Sequence, residues 1–109
     1  MPYYELYYDN QNLIIRFYLN PFEKFTENVK GPSIFLYKKS TIELNDVLPS
    51  DMDSTSIVKK YGIPEGTLNI NELIIDYSFT NGKYFSLLSF YLNRNGTINK
   101  IWINFGKYP

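Results

Sequence analysis

The chain has 109 residues, 11 basic and 11 acidic, no Cys and no His. A single domain of this size buries roughly 65% of the surface its unfolded chain would expose, so it needs no disulfide or metal to fold. Zero net charge and the missing His and Cys argue against a nucleic-acid footprint, thiol or His catalysis, and the usual zinc and haem sites.

Tyr occurs 11 times and Phe 8 times, and Ala is absent, which favours sheet over helix. The N-terminus has no basic stretch followed by an apolar one, and no apolar run approaches ~18 residues. A cytoplasmic protein with no membrane span is therefore expected.

In chain order, Tyr3 to Tyr8 and Leu13 to Leu19 flank the polar turn Asp9-Asn10-Gln11-Asn12. Pairing about Asn10-Gln11 sets Tyr4, Leu6 and Tyr8 beside Leu13, Ile15 and Phe17 on one face. A short helix is expected over Pro21 to Lys30, with Asn20 as its cap, Glu23 three residues on, and Phe22, Phe25 and Val29 as its apolar stripe. Gly31-Pro32 should end it. Ser33 to Lys39 and Ser40 to Asn45 read as strands. Lys38-Lys39-Ser40 reads as a turn between them, one continuous strand being the alternative.

Asp46 to Ser50 is loop. A second short helix follows from about Asp53 to Tyr61, capped by Ser50 or Asp53 and anchored by Ile57, Val58 and Tyr61. Lys59 and Lys60 suit its C-terminal dipole and Gly62 its C-terminal end. Ile63-Pro64-Glu65-Gly66 is a turn.

Glu72 to Phe105 carries Asn81-Gly82 and Asn95-Gly96, each between β-rich runs, the strongest short-range hairpin signal. Two-residue loops there predict a three-stranded meander. The first should pair Phe79 with Tyr84, Tyr77 with Ser86, Ile75 with Leu88 and Leu73 with Phe90. The second should pair Phe90 with Ile101, Leu88 with Ile103 and Ser86 with Phe105. The opposite face then holds Glu72, Ile74, Asp76, Ser78, Phe85, Leu87, Ser89, Tyr91, Ile98, Lys100, Trp102 and Asn104, a mixture suited to a second small core or a partner surface. The whole reads as one domain over 1–109, α+β and mainly antiparallel. Its expected order is ββ-α-ββ-α-βββ, about seven strands and two short helices.

No catalytic, metal or cofactor residues stand out. Asp46, Asp51 and Asp53 lack the Gly and the bidentate Glu of a calcium loop. Gly62 to Gly66 neither follows a strand nor opens a helix as a phosphate loop does. Glu72 and Asp76 lie about 13 Å apart along one strand, too far for a paired-carboxylate hydrolase. No enzyme is expected.

What remains is binding. Glu43, Asp46, Asp51 and Asp53 form an acid run without an intervening Lys or Arg. It suits first the capping of a helix start, and beside that the approach to a basic partner, since capping consumes only one or two of these residues. Phe85, Tyr91 and Trp102 supply aromatic anchors on the second face of the meander.

In size, Asn/Ile/Tyr-rich composition, the Leu73–Phe105 meander and the acids Asp46, Asp51 and Asp53, the chain resembles bacterial immunity proteins. Those paired with contact-dependent growth inhibition toxins are the nearest in character. The resemblance implies a monomer that binds one cognate toxin domain 1:1 and covers its active site. Such a toxin is often a nuclease, a ribonuclease above all, with a basic cleft that would match the acids. It implies no direct contact with nucleic acid or membrane. Two other readings stand beside it: a small β-protein holding an apolar ligand between sheet and helices, and a structural subunit that self-associates through an edge strand.

Overall fold

The computed structural model describes residues 3–18, 30–69 and 71–107. The described strands are β1 (Tyr3–Tyr8), β2 (Leu13–Tyr18), β3 (Lys30–Tyr37), β4 (Gly66–Asn69), β5 (Leu73–Asn81), β6 (Tyr84–Leu92) and β7 (Ile98–Lys107), with one helix, α1 (Ser54–Tyr61). They form one antiparallel seven-stranded sheet in the order β1-β2-β3-β7-β6-β5-β4. β1 to β3 make one meander and β4 to β7 another. The 28 residues 38–65 carry the chain from the interior strand β3 to the far edge β4. That long connection crosses one face of the sheet and closes the core over it.

The core holds Leu36, Ile101, Leu88, Phe90, Leu92, Ile75 and Tyr77 from the sheet, with Met52 and Ile57 packed on them from the connection. Ile98 also belongs to it. Phe90, Leu92 and Ile101 are fully buried, each contributing about 1.5–3 kcal/mol. Tyr61 of α1 meets Tyr77 and Phe90 at ring-centroid distances of 5.5 and 5.4 Å. In addition the Tyr77 hydroxyl donates to the Gly62 carbonyl at 2.8 Å. Burial, and then the neighbouring Tyr61, raise the Tyr77 pKa above its ordinary value.

The second helix forms as expected. Asp53 caps α1 by accepting the Ser56 N–H at 2.7 Å, and the Ser56 hydroxyl accepts the Asp53 N–H at 3.0 Å, a reciprocal capping box. Lys59 and Lys60 occupy the last turn and Gly62, at φ 89°, closes it. Ile57 and Tyr61, four residues apart, face the sheet. Val58 does not: it lies off that narrow stripe and is 40% exposed.

The β1–β2 hairpin has the expected pairing, Tyr8 with Leu13, Leu6 with Ile15 and Tyr4 with Phe17. The expected helix over Pro21 to Lys30 lies outside the described residues except at Lys30, which instead opens β3. Gly31 and Pro32 belong to that strand too, within a register shift between Lys30 and Ser33. There the Phe105 carbonyl oxygen would stand 2.7 Å from any Cβ at position 31. Pro, with no ladder N–H, is tolerated at such an irregularity.

Lys38-Lys39 is a turn, as expected, yet Ser40 to Asn45 forms no strand. Its backbone N–H groups at Ser40, Ile42 and Leu44 bond locally, while Asn45 reaches α1 by donating to the Tyr61 hydroxyl and accepting from Lys60. Leu44 and Val47 exchange backbone hydrogen bonds across Asn45 and Asp46, both at positive φ (50° and 69°). This is a tight turn of the mirror-image kind. The seventh strand is supplied elsewhere, by β4. The described order is therefore βββ-α-ββββ.

The two Asn-Gly hairpins depart from expectation by one residue each. Asn81 is paired with Tyr84, and Gly82 alone has positive φ (63°), so Gly82-Lys83 make the turn. A mirror-type turn with Gly at its first central position fits this. The partners become Phe79–Ser86, Tyr77–Leu88, Ile75–Phe90 and Leu73–Leu92. Partners shift by two residues, so every side chain keeps its expected face.

The second loop has three residues, Arg94-Asn95-Gly96. The Gly96 N–H donates to Asn93 at 2.9 Å and the Asn93 N–H donates to Thr97 at 2.8 Å. A one-residue bulge at Asn99 then restores the expected pairs Phe90–Ile101, Leu88–Ile103 and Ser86–Phe105. Before the bulge the phase is reversed. Ile98 consequently points into the core, 1% exposed, and not to the second face where the alternation had assigned it.

No described helix is long and apolar enough to cross a membrane.

Candidate functional site

The sheet face turned away from α1 carries the other half of each strand's alternation. Its centre is Trp102, paired with Phe35 of β3 on one side and Ser89 of β6 on the other. The Phe35 and Trp102 rings stack at 5.3 Å and 21°. Tyr91 lies 6.3 Å from Trp102. Cations close both ends of this row: the Arg16 guanidinium carbon is 4.8 Å from the Phe35 centroid, and Lys100 Nζ is 4.7 Å from that of Tyr91. Arg16 is itself fixed by Glu5, whose Oε2 it meets from Nη2 at 3.1 Å and from Nε at 3.2 Å, while the Tyr7 hydroxyl donates to Glu5 Oε1 at 2.9 Å.

Tyr91 pairs with Ile74, which sets it diagonally across from Asp76 of β5 and from Glu72 just before that strand. Burial foremost, then the Asp76 and Glu72 charges, raise its pKa above the ordinary value. Two polar atoms on this face are buried without a hydrogen-bond partner among the described residues: Asp76 Oδ1 and the indole N–H of Trp102. Each flanks Ser89. An unmet acceptor and an unmet donor buried on one face are costly to the fold.

Phe85 shares the face but lies flat on it. Its ring covers Gly106, the cross-strand neighbour, where an added Cβ would meet Phe85 Cζ at 2.2 Å.

Of the residues expected to bind a partner, Phe85, Tyr91 and Trp102 thus share one face of the sheet. The acids are elsewhere. Glu43, Asp46, Asp51 and Asp53 are exposed on the connection that packs over the other face. Asp46 takes positive φ in the Leu44–Val47 turn, and Asp53 caps α1. Among the described residues no three of His, Cys, Asp and Glu converge as metal ligands would. Beneath α1 a hollow of about 40 Å³ is lined by Val47, Met52, Ser56, Ile57, Lys60 and Tyr61, far short of the several hundred Å³ an apolar ligand needs.

Sequence reasoning did not single out Phe35, Arg16 or Lys100. Phe35 sits in a dense apolar run, Ile34-Phe35-Leu36-Tyr37, that alternation alone splits between two faces. What hid its role was the β3–β7 pairing, which joins residues 67 positions apart (35 and 102). No family model, curated protein or solved structure significantly matches the chain.

Proposed function

We propose that this chain is an immunity-type inhibitor: it binds one cognate toxin domain per chain and blocks the toxin's active site by occlusion. A ribonuclease with a basic cleft is the partner this reading favours. The chain carries no chemistry of its own in it; the sheet face around Trp102 is the gripping surface. The observation that carries the reading is the cation-capped aromatic row Arg16–Phe35–Trp102–Tyr91–Lys100. Aromatic and Arg side chains dominate binding hot spots.

The experiment is co-expression of the chain with the C-terminal domain of a large secreted protein encoded beside its gene. Protection of growth, a stable complex and loss of the domain's RNA cleavage are expected. Growth arrest despite a folded chain, with no complex formed, would remove this reading.

A further inference from the structure

We infer that β1 pairs antiparallel with β1 of a second copy, centred on Leu6, joining two seven-stranded sheets into one. This does not rest on the inhibitory reading. The two edges of the sheet differ. β4 is four residues long and begins directly after the Pro64-Glu65 turn, so it offers little backbone to a newcomer. β1 is six residues long and paired to β2 without a bulge. It contains no Lys and no Pro, which edge strands use to repel strangers.

Tyr4, Leu6 and Tyr8, on the core face, are 47%, 42% and 41% exposed. The one charge, Glu5, is already paired to Arg16.

The occupant follows from the strand's own pattern. In an antiparallel pair, residues on one face meet residues on the same face, and a two-fold axis through Leu6 sets Leu6 against Leu6. Tyr4 then meets Tyr8, and Glu5 meets Tyr7. Each match is apolar against apolar or acceptor against donor, and no like charges face each other. Tyr7 and Glu5 already make that hydroxyl–carboxylate contact within one chain. Because the axis is perpendicular to the sheet, both core faces lie on one side. Trp102 itself, on β7 and two strands inward from β2, stays clear of the joint, while the Arg16 end of its row, held by Glu5 of β1, adjoins it. The inferred assembly departs from the monomer implied by the resemblance and would hold two toxin domains.

Sedimentation equilibrium tests this. The 12.9 kDa chain should sediment at twice that mass, and Leu6→Lys, which sets two ammonium groups on the axis, should return it to 12.9 kDa while it stays folded by circular dichroism, melting lower only by what the lost dimer contributed. Wild-type protein of single mass at every loading concentration up to the millimolar range, or a Leu6→Lys variant still of double mass, would overturn the inference. If Leu6→Lys fails to fold, Leu6→Cys decides. Directly paired Cα atoms stand about 4.5–5.5 Å apart, within disulfide reach. The chain has no other thiol. Mild oxidation should link it into a covalent dimer, whereas Thr67→Cys on β4 should not link. No link at position 6, or equal linking at position 67, refutes pairing through β1.

Discussion

Trp102 is the residue on which structure and proposed binding meet. Its ring rests on Phe35, 7% exposed, yet Trp102 itself is only partly buried, so truncation threatens both fold and grip. The two roles separate by measurement. A hot-spot Trp→Ala change speeds dissociation from the toxin domain at a cost of ~2 kcal/mol or more. A purely structural Trp lowers the melting temperature and leaves dissociation of the folded protein untouched. We expect faster dissociation with a modest melting shift; stability loss alone would show that the face does not grip. Gly106 gives a matching test for Phe85. Gly106→Ala places a methyl inside the Phe85 ring, and overpacking of this kind costs about 1–3 kcal/mol. The variant should melt lower, and pairing it with Phe85→Ala should recover part of the loss because the ring is then gone. Equal destabilisation with and without Phe85 would place the strain elsewhere.

At the scale of elements, α1 is eight residues long and depends on its ends and on Tyr77. Asp53→Ala removes the cap and should cost about 1 kcal/mol, while Asp53→Ser restores an N-cap without the charge. If the two variants melt alike, capping is not what Asp53 does. Tyr77 ties the far end of α1 to β5 through the Gly62 carbonyl. Its raised pKa means the folded protein holds the phenolic proton more tightly than the unfolded chain does. That stabilisation is complete below the ordinary value of 10.0 and is lost as pH rises through the higher folded value. Melting temperature should therefore fall on the alkaline side, less steeply in Tyr77→Phe, which should also melt lower at neutral pH. An identical alkaline limb in the variant would show that Tyr77 does not set it.

Legibility followed locality. Asp53 and Gly62 announced α1 because a cap needs only its own few neighbours; the Ser56 half of the capping box is legible only in the structure. The faces of the C-terminal meander were readable because period-two alternation tolerates a loop that slides by one residue. Ile98 was misplaced because a bulge at Asn99 cannot be seen in alternation, and its cause is distant: the Asn99 carbonyl accepts the Lys38 N–H and its amide donates to Glu72. The Ser40 to Asn45 segment looked like a strand because Ile42 and Leu44 alternate. Asn45-Asp46 was the signal for a turn, and it went unread.

In the molecule as a whole, the acids and the aromatics lie on opposite sides of the sheet, and this sharpens what charge can do. A helix is about 10 Å across, so the acid-bearing layer stands at least a Debye length from the Trp102 face at 0.15 M salt, where screening acts over about 8 Å. At 0.01 M the screening length is about 30 Å and the acids still steer a basic partner. Changing Asp46, Asp51 and Asp53 together to Asn is a clean test. Asn keeps the N-cap at 53 and tolerates the φ of 69° at 46, so the fold survives. If the toxin docks on the aromatic face, the triple variant should associate more slowly at low salt, reach wild-type rates near physiological salt, and dissociate normally throughout. If it docks on the α1 side, slower association should persist at physiological salt and dissociation should quicken, since contact pairs are lost there. Rates measured across that salt range, on a variant shown to melt like wild type, tell which side of the sheet meets the toxin.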